Sequence, residues 1–268
     1  MTVPDFAARR VISDLHITRI EDLLLLKEIA WERNALLIQD TLDGAEAQIL
    51  ISRPRSIITI STSVTEQNRK RFGIAHEIGH LELHRRNGAF FVCTSSDIST
   101  NWLTKRQDPS LEQEANQFAA SLLMPEIFFA PFCQDGDPSL AKVSEIANFF
   151  SVSLTAACLR YIQFCKEPVA IVYTKDNIIQ WFKANHDFEE LGLFVNVKGV
   201  LSRSTLAFHT LKDAQGMTQQ RQVALNSWLR PGPYKSEATL AEQSVSMPSM
   251  NATLSMLWIN EIVDEDDY

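Results

Sequence analysis

Apolar and polar positions alternate with different spacings along the first third of the chain. Residues 23–30 place leucines and Ala30 among charges at the spacing of a helix. Residues 36–40, 48–52 and 56–61 are short apolar or β-branched runs, with turn signals such as Asp43-Gly44 between them. This order predicts a helix followed by a small antiparallel sheet.

Two longer helices are expected next. The first covers about residues 66–84, and the weakly periodic stretch 87–107 is predicted to be a loop. Asp108-Pro109 then resembles a helix start, with aspartate as the N-cap and proline in the first turn. Pro125 should end that second helix after Met124.

The pattern changes again after the turn cluster at residues 135–138. Two short helices are predicted there, at 139–150 and 153–164. The remaining predicted elements are strands at 168–174, 178–182, 205–210 and 256–262 and a helix within 213–229. The fold class is therefore α+β.

Composition and charge narrow the class of protein. Hydrophobic residues make up 45% and charged residues 22%, which excludes a disordered or fibrous chain. The 33 acidic and 25 basic residues give a net charge of −8, which does not favour non-specific binding to phosphate backbones. The four cysteines form no C-x-x-C pair and are predicted to be reduced thiols. With no signal-peptide pattern in residues 1–16, a cytoplasmic protein is expected.

The segment 76–80 carries the pattern H-E-x-x-H. His76 and His80 are four residues apart, so both imidazoles of a helix can point at one metal ion. Glu77 is rotated by about 100° from His76, which places it beside the metal as a general base. The plain alternative is two exposed histidines and a solvated glutamate.

A third ligand is expected on the helix that follows. Glu112 shares a face with the small residues Ala115 and Ala119 and with Asn116, which could hydrogen-bond a ligating imidazole. Glu114 lies on another face and remains a competing ligand, and at least one of the two glutamates is expected to be a solvated surface residue. His84 is expected to pack at the helix end, near its negative dipole.

Two runs of residues together resemble the ImmA/IrrE metallopeptidases. They are Arg71-Phe72-x-x-Ala75-His76-Glu77-x-Gly79-His80 with Leu83-His84, and Glu112-x-x-Ala115-Asn116-x-Phe118-Ala119-x-x-Leu122-Leu123-Met124-Pro125. The resemblance implies a compact zincin-like core of the gluzincin type, with Zn²⁺ held by His76, His80 and Glu112 and with Glu77 as catalytic base. It also implies that the substrate is a helix-turn-helix repressor of stress-response or mobile-element genes.

In this interpretation the chain has three parts. Residues 1–135 form the metallopeptidase domain, 136–166 a helix-turn-helix-like segment, and 167–268 an α+β domain that is GAF-like in longer family members and would act as a sensor. Arg160 is the only charged residue in the would-be recognition helix, so the segment is expected to pack or to dock substrate, and direct DNA binding is not expected.

Three functional hypotheses follow. The leading one is a zinc endopeptidase that cleaves a transcriptional repressor. The second is a non-catalytic regulator that binds a repressor or DNA through residues 138–165. The third is a structural zinc site, which is disfavoured because no cysteine lies near the histidine pair in the sequence. Ligand type alone does not separate zinc from manganese or iron, and the sequence does not specify the repressor, the signal or the oligomeric state.

Overall fold

The computed structural model describes residues 2–85, 90–95, 97, 110–134, 136–213, 216–230 and 239–259. The helices are α1 (Val3–Asp14), α2 (Leu26–Glu32), α3 (Gln67–Leu83), α4 (Leu111–Leu123), α5 (Glu126–Phe129), α6 (Leu140–Phe150), α7 (Leu154–Tyr161), α8 (His186–Glu190) and α9 (Leu206–Asp213). The strands are β1 (Ala35–Asp40), β2 (Ala47–Leu50), β3 (Ser56–Ser61), β4 (Phe90–Cys93), β5 (Val169–Lys175), β6 (Ile178–Ala184), β7 (Arg221–Ala224), β8 (Thr239–Met247) and β9 (Ala252–Trp258). The α+β class predicted from the sequence is confirmed.

The chain forms two compact units, and each unit combines two segments that are not consecutive in the sequence. One unit contains residues 1–129 and 147–156, and the other contains residues 130–146 and 157–268. Each of α6 and α7 contributes residues to both units. The three-part domain division remains a prediction. Among the described residues, no helix is both long enough and apolar enough to cross a bilayer.

The sheet of the first unit has the strand order β1-β3-β2-β4. The prediction of an antiparallel sheet is wrong for one pair, because β1 and β3 are parallel. The reason is that β2 forms a hairpin on the far side of β3, so β3 returns in the direction of β1. The edge strand β4, antiparallel to β2, lies in the stretch that was predicted to be a loop.

Helix α3 is the central helix of the first unit, and its predicted span is confirmed. It packs against α4 and against β2 and β3. Gly79 permits the close approach of α3 to α4, because a Cβ added there would lie 3.1 Å from both Cα and O of Ala115. Helix α4 ends at Leu123, as Pro125 predicted, but its N-cap is Ser110, which forms a capping box with Gln113. The predicted start at Asp108-Pro109 lies outside the described residues.

The second unit contains an antiparallel sheet of order β6-β5-β9-β8-β7. Strands predicted at 168–174 and 178–182 are confirmed as β5 and β6, and β9 confirms the described part of the last predicted strand. The carboxylate of Glu242 is buried in β8, where it accepts hydrogen bonds from the Trp228 indole and the backbone N–H of Ala207. The sequence of β8 does not alternate between apolar and polar residues, so this strand was not predicted.

Two predicted elements of the second unit are wrong. Residues 205–210, predicted as a strand from their threonines and apolar residues, begin helix α9, since Thr205 caps its first turn through the N–H of Phe208. The helix predicted within 213–229 is replaced over its described residues by the strand β7 and a 3₁₀ turn at Leu225–Ser227. β7 pairs with β8, and that non-local pairing outweighs local helix propensity.

Candidate metal centre

Three predicted ligands converge where α3 lies against α4. His76 Nε2 and His80 Nε2 are 3.0 Å apart, and Glu112 Oε2 lies 3.0 Å from the first and 3.2 Å from the second. Both imidazoles are buried. Ligands at about 2.0–2.1 Å from one zinc ion in a tetrahedron are separated by roughly 3.3 Å. The three atoms therefore have nearly the separations that one metal ion requires.

The pKa values of Glu112 and His80 are shifted in the directions that favour metal binding. Burial raises the pKa of Glu112, but the hydrogen bonds with His76 and His80 outweigh it and hold that pKa well below its usual range. Burial is also the main reason that the pKa of His80 is lowered, against the opposing effect of Glu112. An ionised carboxylate and a neutral imidazole are the forms that ligate a metal ion.

Asn116 lies where an outer partner of a ligating imidazole is expected. Its Oδ1 is 2.9 Å from His76 Nδ1. With the proton on Nδ1 donated to Asn116, the lone pair of His76 Nε2 would be available to a metal ion held together with Glu112. The Asn116 side-chain N–H₂ donates to the carbonyl of Asp97 at 2.6 Å, so this amide is itself held in place.

His84 and Glu114 extend a series of hydrogen bonds from the Nδ1 side of the His80 ring. His84 Nδ1 is 2.9 Å from His80 Nδ1, and His84 Nε2 is 2.9 Å from Glu114 Oε2. When His80 donates its Nδ1 proton to His84, His84 donates in turn to Glu114, and His80 Nε2 is left free to bind a metal. The expectation that one of the two glutamates is a solvated surface residue is wrong. The spacing of four between His80 and His84 was the signal for this contact.

Glu77 is the buried carboxylate of the site. Its side chain is 0% exposed, and neither oxygen has a hydrogen-bond partner among the described residues. Burial raises its pKa to about 7, against smaller lowering effects of His76 and the nearby Cys93 thiol. A carboxylate with a pKa near neutrality can accept a proton and release it again at physiological pH.

Cys93 is the site residue that sequence reasoning missed. Its Sγ lies 3.7 Å from both His80 Nε2 and Glu112 Oε2, and one ligand atom from each of His76, His80, Cys93 and Glu112 falls within 4.8 Å of the others. The inference that no cysteine lies near the histidine pair is wrong, because β4 pairs with β2 and brings residue 93 to this position. Burial, Glu77 and Glu112 together raise the pKa of the thiol.

The donor set fits a divalent metal of zinc type. Two imidazole nitrogens, one carboxylate oxygen and one sulfur are ligands that zinc accepts, and sulfur is a poor ligand for magnesium or calcium. The unpartnered Glu77 beside this set is the second observation in favour of a metal centre, since a buried carboxylate without a partner is costly unless a ligand or function requires it.

Comparison with known proteins agrees with this geometry. Residues 35–161 match the family model of the Peptidase M78 family, described as the IrrE N-terminal-like domain. This matched segment contains all eight site residues described above.

The chain is also similar to a known metalloprotease and to a solved structure. The radiation response metalloprotease IrrE of Deinococcus radiodurans is 28% identical over 120 residues, which span 45% of this chain and 34% of that protein. The match thus covers about a third of the relative's length. A transcriptional regulator of Mycobacterium tuberculosis has a similar fold, with a TM-score of 0.62 and 13% identity over 96% of this chain and 76% of that one.

Proposed function

We propose that this protein is a zinc-dependent endopeptidase that cleaves a helix-turn-helix transcriptional repressor. The observation that carries the proposal is the buried, unpartnered Glu77 carboxylate beside the His76, His80 and Glu112 atoms. A protein that only binds a partner has no need of a base in that position. The family match over residues 35–161 and the similarity to a metalloprotease support the same activity.

The residues divide the work of peptide hydrolysis among them. A zinc ion held by His76, His80 and Glu112 would supply a Lewis acid that polarises the scissile carbonyl and makes water acidic. Glu77 accepts a proton from the attacking water and delivers it to the leaving amine, for which its pKa of about 7 is suited. Asn116 and the His84–Glu114 chain hold the two imidazoles in the required orientation.

The substrate class rests on resemblance and on one structural observation. ImmA/IrrE enzymes are expected to cut a repressor and so derepress stress-response or mobile-element genes. Arg160, the only charged residue in the predicted recognition helix, is 6% exposed and donates a hydrogen bond to Gln163. A buried arginine is poorly placed to contact DNA phosphates, which favours a protein partner for residues 138–165 over DNA.

The proposal also assigns a role to each region of the chain. A zincin-like core around α3 and α4 would carry the chemistry, and the α+β region after residue 166 would act as a GAF-like sensor. The ligand of that region is not specified by its residues.

The test is cleavage of purified candidate repressors by the zinc-loaded protein, with products identified by mass spectrometry. Wild type should cut at one bond, and Glu77→Gln should bind zinc equally well without cutting. A Glu77→Gln variant that cleaves at the wild-type rate would refute the role of Glu77. Repressor binding without cleavage by both the zinc-loaded wild type and the zinc-loaded Cys93→Ser variant would favour the non-catalytic regulator instead.

A further inference from the structure

The position of Cys93 has the dimensions of a metal ligand. For a zinc–sulfur distance of about 2.3 Å and a zinc–nitrogen distance of about 2.0–2.1 Å, a tetrahedral site separates sulfur from nitrogen by about 3.6 Å. The Cys93 Sγ is 3.7 Å from His80 Nε2 and 3.7 Å from Glu112 Oε2. Both contacts are within hydrogen-bond range for sulfur, and a metal ion in place of the protons between these atoms would keep the same separations.

The local strand geometry directs this sulfur inward. In β4, Phe90 and Val92 are exposed, while Phe91 and Cys93 alternate with them on the other face. Phe91 stacks on the His80 ring at a centroid distance of 4.2 Å, and Cys93 is fully buried beside it. The strand therefore presents two successive inward side chains to the histidine pair.

We infer that Cys93 is a fourth protein ligand, which closes the metal site in this conformation and makes the enzyme latent. The inference rests on the proposed function. As the metal–sulfur bond forms, the thiol proton leaves to solvent, so that a thiolate and one proton replace the thiol. Four protein ligands leave no position for the attacking water, because a catalytic zinc site keeps its fourth position open.

Glu77 is consistent with a closed site that can open. Both of its oxygens are buried and lack hydrogen-bond partners among the described residues. A purely structural site would have no use for such a group, whereas a latent site needs the base in place before the water can enter. A site closed by four protein ligands, which the sequence disfavoured as a structural zinc site, is therefore inferred here as a reversible state of the enzyme.

Of the elements that carry ligands, β4 is the easiest to displace. It has four residues and, within the described part of the chain, pairs with β2 alone, whereas α3 and α4 are 17 and 13 residues long and pack on each other. Two further hydrogen bonds hold this part of the chain: the backbone N–H of Glu46 donates to the carbonyl of Cys93, and the Asn116 side chain donates to the carbonyl of Asp97. Withdrawal of β4 would remove the sulfur while leaving His76, His80 and Glu112 in place.

The ligand can be tested on the metal-free protein with cobalt as a spectroscopic probe. We expect wild type to bind one Co²⁺ with a thiolate-to-cobalt charge-transfer band, and Cys93→Ser to bind one Co²⁺ without that band. Cys165→Ser, which changes a buried cysteine of the second unit, is the matched control and should keep the band. Zinc X-ray absorption of unmodified protein should show one sulfur at about 2.3 Å.

The outcomes separate this inference from the proposed function. One bound Co²⁺ without the band in wild type, or a zinc spectrum without sulfur, overturns Cys93 as a ligand and leaves the peptidase proposal standing. Absence of any metal binding overturns both. Once cleavage is established, Cys93→Ser should cleave the repressor faster than wild type, and slower cleavage at equal metal content would overturn the latent state.

Discussion

Replacement of Gly79 by alanine tests how closely α3 and α4 must approach to build the site. The added Cβ would lie 3.1 Å from Ala115 Cα, Ala115 O and Phe118 Cδ1. Two of these atoms belong to the α4 backbone, so the helix itself must move by a few tenths of an ångström. Overpacking of this kind costs about 1–3 kcal/mol, and the better helix propensity of alanine returns about 1 kcal/mol.

The expected net result for Gly79→Ala is a loss of about 1 kcal/mol in the free energy of unfolding of the metal-free protein, taken as the middle of the difference between these two terms. Urea unfolding followed by circular dichroism measures it. Gly216→Ala is the control, because its added Cβ meets no atom of the described residues within 4 Å. The helix shift should also weaken zinc binding, since His80 follows Gly79. A gain of about 1 kcal/mol, as propensity alone predicts, would refute the close packing.

Three further outcomes are expected. Because the folded-state pKa of Glu77 is about 7 and its ordinary value is 4.5, folding takes up a proton between these values. As the pH rises from about 5 to 8, the free energy of unfolding of the metal-free wild type should therefore fall by about 2.5 kcal/mol relative to that of Glu77→Gln. Equal pH profiles of the two proteins in urea titrations would contradict this. Arg33→Ala removes two of the three hydrogen bonds to the buried Glu82 carboxylate, those of 2.9 and 2.7 Å, and leaves the one of 3.2 Å from Arg10. It should cost about 2 kcal/mol in a thermal or chemical melt, whereas a loss below about 1 kcal/mol would mean that the pair contributes no more than an exposed ion pair. Ser110→Ala removes the N-cap of α4 and should cost about 1 kcal/mol, with Ser110→Asp close to wild type in the same melt.

The parts of the site that sequence predicted well are those set by local geometry. His76, Glu77 and His80 lie within five residues of one helix, and helical spacing alone determines which faces they occupy. Glu112 and Asn116 share a face of the next helix for the same reason. Their meeting required only that two helices with small residues between them pack together.

The parts that sequence reasoning missed depend on pairing between distant segments. Cys93 reaches the site because β4 adds to the edge of the sheet at β2. A strand of four residues is too short for its apolar pattern to predict which residues of β2 it pairs with. The strand β8 was missed because its buried Glu242 and Ser244 are satisfied by hydrogen bonds to each other and to the indole of Trp228. Burial that depends on such partners cannot be read from apolar alternation.

The central claim is that His76, His80 and Glu112 hold a catalytic metal while Glu114 acts only through His84. Zinc affinity of Glu112→Gln and Glu114→Gln, measured by competition with a chelator and compared with wild type, tests it most directly. The claim predicts one zinc per chain in wild type, loss of tight binding in Glu112→Gln, and binding weakened by only about 10–100-fold in Glu114→Gln, as for an outer-shell partner. Wild-type affinity in Glu112→Gln, or loss of zinc only in Glu114→Gln, would contradict it.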